Sequence, residues 1–95
     1  MAERKARRLR KLDAAAAAVR ALADRHGVSI GFFGSYARGT TGPNSDLDVL
    51  VLGHDVSCVT GAFRREIERI GAAQDIDIDL RLERNAPHLS MEMLS

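Results

Sequence analysis

Asp46 and Asp48 stand two residues apart at the head of the aliphatic run from Leu47 to Leu52. On a strand, residues i and i+2 project from one face about 7 Å apart along the chain. Two carboxylates placed this way repel each other unless a cation joins them. Oxygen donors of this kind suit Mg2+, which commonly takes one or two carboxylates and completes its shell with substrate phosphates. A bare Asp-x-Asp can equally decorate an exposed strand edge or cap a turn, so the rest of the chain has to decide. Asp75, Asp77 and Asp79 also alternate with aliphatic residues, and a neighbouring strand carrying them would add a third ligand. Two ions held ~3.5–4 Å apart can activate an attacking oxygen and stabilise a pyrophosphate leaving group. Phosphoryl transfer asks chiefly for positioning and charge neutralisation, and needs no nucleophilic side chain from the protein.

The Gly34-Ser35 pair is the second feature with chemical content. Glycine permits close backbone approach, and amides at the start of a helix attract anions, so a Gly-Ser turn between strand and helix makes a sensible phosphate cradle. The same pair also occurs for turn geometry alone.

Positioning these groups calls for a small set of elements. Glu3 to His26 reads as a helix on the recurrence of Leu9, Leu12, Ala16, Val19 and Ala23, with Gly27 as its stop. Val28 to Phe33 reads as a buried strand, and Thr40 to Ser45, containing Gly42, Pro43 and Asn44, as a loop. The near-continuous aliphatic run Leu47 to Leu52 predicts a strand covered on both faces, in the middle of the sheet. Val59, Phe63, Ile67 and Ile70 mark an amphipathic helix ending at Gly71. Asp75 to Leu82 alternates as a third strand, and Pro87 opens a helical turn or two through Leu94.

Composition narrows the setting. Ninety-five residues at 45% hydrophobic content fit one domain, residues 1–95, and a net charge of +1 does not declare a nucleic-acid or membrane binder. The opening segment is basic, with Arg4, Lys5, Arg7, Arg8, Arg10 and Lys11, but such a run usually marks a solvated helix face. Aromatics at 4% offer no stacking platform for single strands, which argues against nucleic acid as partner. The lone Cys58 cannot form an internal disulfide, and His26, His54 and His88 match no zinc spacing. Cys58 reads as a small core or helix residue, and His54 and His88 as surface residues. With no apolar stretch of ~18 residues, the expectation is a cytoplasmic protein without membrane attachment.

With these residues set out, the sequence resembles the minimal nucleotidyltransferases of the DNA-polymerase-β superfamily, whose signature is Gly-Ser, ten residues, then Asp-x-Asp. Here it reads Gly34-Ser35, Tyr36 to Ser45, Asp46-Leu47-Asp48. Ala37-Arg38-Gly39, Ser45 and Val49-Leu50-Val51 match in the flanks, and the similarity runs on through Asp79-Leu80-Arg81-Leu82 to Asn85-Ala86-Pro87.

The resemblance implies an α/β (α+β) nucleotidyltransferase fold, a small mixed β-sheet with helices packed on it. It implies magnesium, as two ions, and ATP as the substrate. Asp46 and Asp48 become metal ligands and catalytic residues, with Gly34 and Ser35 on the β/γ-phosphates and Ser45 beside the nucleotide. Asp79 is the expected third carboxylate, with Asp77 on the same face as the fallback. Arg38 either contacts the triphosphate or pairs with a carboxylate of the site. Tyr36 either stacks on a base or packs.

Larger relatives carry a further domain for the acceptor, and few residues follow Pro87, so the acceptor is expected from outside. Minimal members resemble the antitoxin half of two-gene systems whose partner is a HEPN-domain toxin, and some add AMP to its tyrosine. A catalytically silent antitoxin and a basic nucleic-acid-binding module are the alternative readings.

Overall fold

The computed structural model describes residues 2–53 and 57–85. The turns expected from Pro87 to Leu94, together with His54 and His88, lie outside the described residues.

Helix α1 spans Ala2–His26. Its buried stripe is Leu12, Ala15, Ala16, Val19, Leu22 and Ala23, the spacing by which one helix face is covered. Gly27 follows with φ 67°, and the Val28 amide donates to the Ala23 carbonyl at 2.8 Å, closing the helix end. Leu9, expected on the packed stripe, is instead 41% exposed. The inward position one turn before Leu12 belongs to Arg8, which stands four residues before Leu12 and seven before Ala15.

Three strands form one mixed sheet in the order β1 (Ile30–Phe33), β2 (Leu47–Val51), β3 (Ile78–Leu82). β1 pairs antiparallel with β2, and β2 pairs parallel with β3, so β2 is central as its aliphatic run predicts. Leu47 and Val49 join the buried stripe of α1 and the α3 residues Phe63 and Ile67 in one core. Leu50, on the Asp48 side of the pleat, is fully buried as well. This small α+β architecture is the mixed sheet with packed helices expected from the sequence.

A short helix, α2 (Gly34–Arg38), packs on β1 and β2 and stops at Gly39, φ 72°. Helix α3 spans Gly61–Gln74, and the Thr60 hydroxyl caps its start by accepting the Phe63 amide at 3.1 Å.

The end of α3 departs from the sequence reading. Gly71 does not stop the helix; Asp75 does, in the left-handed conformation (φ 55°). Its amide donates to Ala72 O at 3.2 Å and the Ile76 amide to Gly71 O at 2.9 Å, the paired bonds of a Schellman end. Gly71 is small for another reason, because a Cβ there would lie 2.8 Å from the Ile76 carbonyl oxygen as the chain folds back. The third strand consequently starts at Ile78 rather than Asp75. Cys58 also departs from expectation, lying exposed in a turn. No helix among the described residues is long and apolar enough to cross a membrane.

Candidate functional site

The strand β1 ends in the sharp turn that the Gly-Ser pair serves. Gly34 has φ 72°, and a Cβ on it would collide with Asp48 Oδ2 and sit 3.1 Å from Asp48 Cγ. The Asp48 carboxylate therefore rests against the Gly34 backbone, in space that only glycine leaves open. Register brings the two together, since Phe33 pairs with Asp48 across β1 and β2.

On the other side of β2, Asp48 pairs in register with Asp79. Adjacent parallel strands lie about 4.8 Å apart, so residues in register present side chains to the same face as neighbours. Asp48 is half-buried, and its carboxyl is raised above the ordinary Asp value by that burial, then by the charge of Asp79 and then by that of Asp46; Arg81 and Arg38 act the other way. The charges of both Asp79 and Asp46 thus bear on Asp48. Arg81 Nε donates to both oxygens of Asp79 at 3.2 Å, and Arg8 lies 3.8 Å from Asp46 Oδ1.

Asp77 falls elsewhere. It is exposed, precedes β3, and its carbonyl accepts the Leu47 amide at 3.0 Å. Ser45 closes the loop before Asp46 from both directions: its hydroxyl accepts the Gly42 amide at 2.7 Å and its amide donates to Gly42 O at 3.3 Å. Ser35, on α2, receives the Thr40 amide on its carbonyl at 2.9 Å, which fixes the loop leaving the helix. Arg38 is exposed at the end of α2, within electrostatic reach of Asp48. Tyr36 packs edge-on against Phe32 at 5.7 Å and donates its hydroxyl to Asp13 Oδ1 at 2.6 Å, which ties α2 to α1.

A family model described as nucleotidyltransferase domain matches residues 15–88, more than half of the chain and the whole span from Gly34 to Asp79. The chain belongs to this family. Its chemistry, in general terms, is the transfer of a nucleotidyl group. No curated protein matches the chain significantly, and no solved structure does.

In this nucleotidyltransferase, the donor set suits a hard cation in kind: carboxylate oxygens, mutually repelling, on one face of adjacent strands. Among the described residues, however, no group of three or more His, Cys, Asp or Glu is closed around a common point. Asp46 and Asp79 are turned to arginines instead. An ion at Asp48 would need further oxygens from phosphate and water, the usual habit of Mg2+.

The structure adds neighbours that the sequence does not single out: Arg8 against Asp46, Arg81 against Asp79 and Asp13 against Tyr36. By sequence Arg8 belongs to a basic run that reads as a solvated helix face, and nothing local ties Asp13 or Arg81 to the site. The one available signal was spacing, since Arg8 continues the Leu12, Ala15 and Val19 stripe.

Proposed function

We propose that this nucleotidyltransferase, as one cytoplasmic domain over residues 1–95, transfers AMP from ATP with Mg2+ to an acceptor hydroxyl, a tyrosine of a HEPN-type toxin, and so acts as an antitoxin. The observation that carries the reading is the Gly34–Asp48–Asp79 juxtaposition: a side-chain-free turn, the central carboxylate seated against it, and a second carboxylate in register.

In the reaction the acceptor oxygen bonds to the α-phosphorus, the bond from the α-phosphorus to the bridging oxygen breaks, and pyrophosphate leaves. Gly34 and Ser35 hold the β- and γ-phosphates by close backbone approach. Asp46, Asp48 and Asp79 would hold Mg2+, which would offset the charge of the phosphates and of the departing pyrophosphate. A tyrosine hydroxyl, with a reference pKa near ~10, is a poor nucleophile at neutral pH, and an Asp79 carboxylate oxygen takes its proton. Ser45 keeps the loop before Asp46 closed and retains a hydroxyl proton to donate to a phosphate. Arg38 is within reach of the same charge.

Incubation with Mg2+, ATP and the HEPN-type protein encoded beside it, followed by intact mass spectrometry of that partner, should show AMP additions that vanish with Asp46→Ala. The arginine partners of Asp46 and Asp79 favour one other reading, a silent antitoxin that acts by binding alone. Under it the partner is silenced without mass change, and Asp46→Ala silences it equally well.

A further inference from the structure

The Arg8 side chain reaches three groups distant in the chain. Nε donates to Ser45 O at 2.8 Å, Nη1 donates to Asp75 O at 3.2 Å, and Nη2 stands 3.8 Å from Asp46 Oδ1. Its side chain is 17% exposed, whereas that of Asp46 is 50% exposed. Neighbouring Lys11 makes a looser contact, 3.9 Å from the nearly fully exposed Asp75 carboxylate.

The acceptors matter because of where they lie in the chain. Ser45 leads through Asp46 into β2, and Asp75 leads through Ile76 and Asp77 into β3. These two parallel strands carry Asp48 and Asp79 in register, and their first shared bond is the Leu47 amide to the Asp77 carbonyl. One guanidinium therefore spans the approaches to both carboxylate-bearing strands. Asp46 itself precedes β2, so the ladder does not hold its backbone. Arg8 also lines two cavities: one of about 420 Å³ with Asp75 and Asp77, the other of about 310 Å³ with Lys11, Pro43 and Asn44. Neither cavity includes Gly34, Ser35, Asp48 or Asp79.

We propose that Arg8 is a positioning residue of the transfer site: from α1 it locks the approaches to β2 and β3 together and holds Asp46 beside Asp48 and Asp79. The planar fork is what the task needs. Lysine carries the same charge at a single point and cannot bridge three acceptors in fixed directions. The contact with the Asp46 carboxylate is long and half in water, a class of ion pair that contributes little, so Arg8 places Asp46 chiefly through the carbonyl of Ser45 before it and leaves the carboxylate free to turn to a cation.

The catalytic readout of this inference rests on the transfer reading above, but its structural readout does not. Full-length Arg8→Lys and Arg8→Met would be compared with wild type by amide hydrogen exchange in NMR and by steady-state transfer. Both variants should speed exchange at Leu47 by about tenfold or more while Val49, mid-strand, stays near wild type. Both should lower kcat by about tenfold with KM for ATP within about threefold, because Arg8 fixes the backbone leading into Asp46 and touches no element of the Gly34-Ser35 turn. Unchanged exchange at Leu47, uniform acceleration at every amide, or full turnover in Arg8→Lys would each overturn the proposal. If wild type transfers nothing to any acceptor, the transfer reading fails and the exchange data alone decide the role of Arg8.

Discussion

Gly34 and Asp48 contend for one space: the carboxylate of Asp48 occupies the volume that any side chain at Gly34 would fill. Gly34 and Gly39 have the same φ of 72°, but nothing lies within 4 Å of a Cβ built on Gly39. Alanine at either position incurs the left-handed backbone cost, about 1 kcal/mol or somewhat more. Gly34→Ala adds a clash worth about 1–3 kcal/mol and displaces Asp48. Thermal melts should rank wild type above Gly39→Ala and Gly39→Ala above Gly34→Ala, with Gly34→Ala alone losing transfer. Equal losses would mean that the Asp48 contact has no part.

Asp48→Asn should make the metal-free protein more stable while removing metal-dependent ATP binding. Burial and the charges of Asp79 and Asp46 raise the Asp48 carboxyl, so the fold favours its protonated form. Stability is then full below the ordinary Asp value and falls as pH rises through the raised one. Asparagine keeps the volume and removes the repulsion, a gain of about 0.5 kcal/mol, or roughly 2–4 °C in Tm at neutral pH. The difference between variant and wild type should shrink towards acid pH. Calorimetric melts from pH 3 to pH 8 without divalent ions would check the sign, and a variant that melts lower at neutral pH would contradict it.

Asp79→Asn should reduce transfer on the order of 10²-fold, and Asp77→Asn by no more than about threefold. Asp79 stands in register with Asp48 and contributes to its electrostatics, whereas Asp77 is exposed before β3 and offers the fold its carbonyl. Turnover of the two variants, each checked for folding by circular dichroism, tests the order. The reverse order would move the third carboxylate to Asp77.

Tyr36 is the single tyrosine and the chain has no tryptophan, so phenolate absorbance reports this residue alone. Its pKa is pushed up to about 12, first by burial, then by the hydrogen bond to Asp13 and the charge of Asp13, with Arg20 opposing. Folding thus favours the protonated phenol. That stability is fully present below the ordinary value of 10.0 and is lost as pH rises through about 12. Asp13→Ala should lower the midpoint, leaving it above 10 because burial persists, and destabilise the protein by about 0.5–1 kcal/mol. An unmoved midpoint would show that the α1–α2 tie is absent in solution.

The sequence by itself determined the elements and the family. Hydrophobic period marked α1, the central place of β2 and the inner face of α3, because these patterns are local consequences of burying one face. The transferase reading came from resemblance to a known family, carried by Gly34-Ser35, Asp46-x-Asp48 and their flanks, a match of local motifs that needs no distant contact to be recognised. Tertiary structure alone decided what depends on pairing. Asp77 and Asp79 share an alternation, and only the register of β3 on β2 sets Asp79 beside Asp48. Gly71 looked like a helix stop because glycine serves both chain reversal and close approach, and the nearness of the Ile76 carbonyl tells them apart. Arg8 looked solvated because a basic run usually is; its acceptors at Ser45 and Asp75 lie 37 and 67 residues away, a distance that local spacing does not encode.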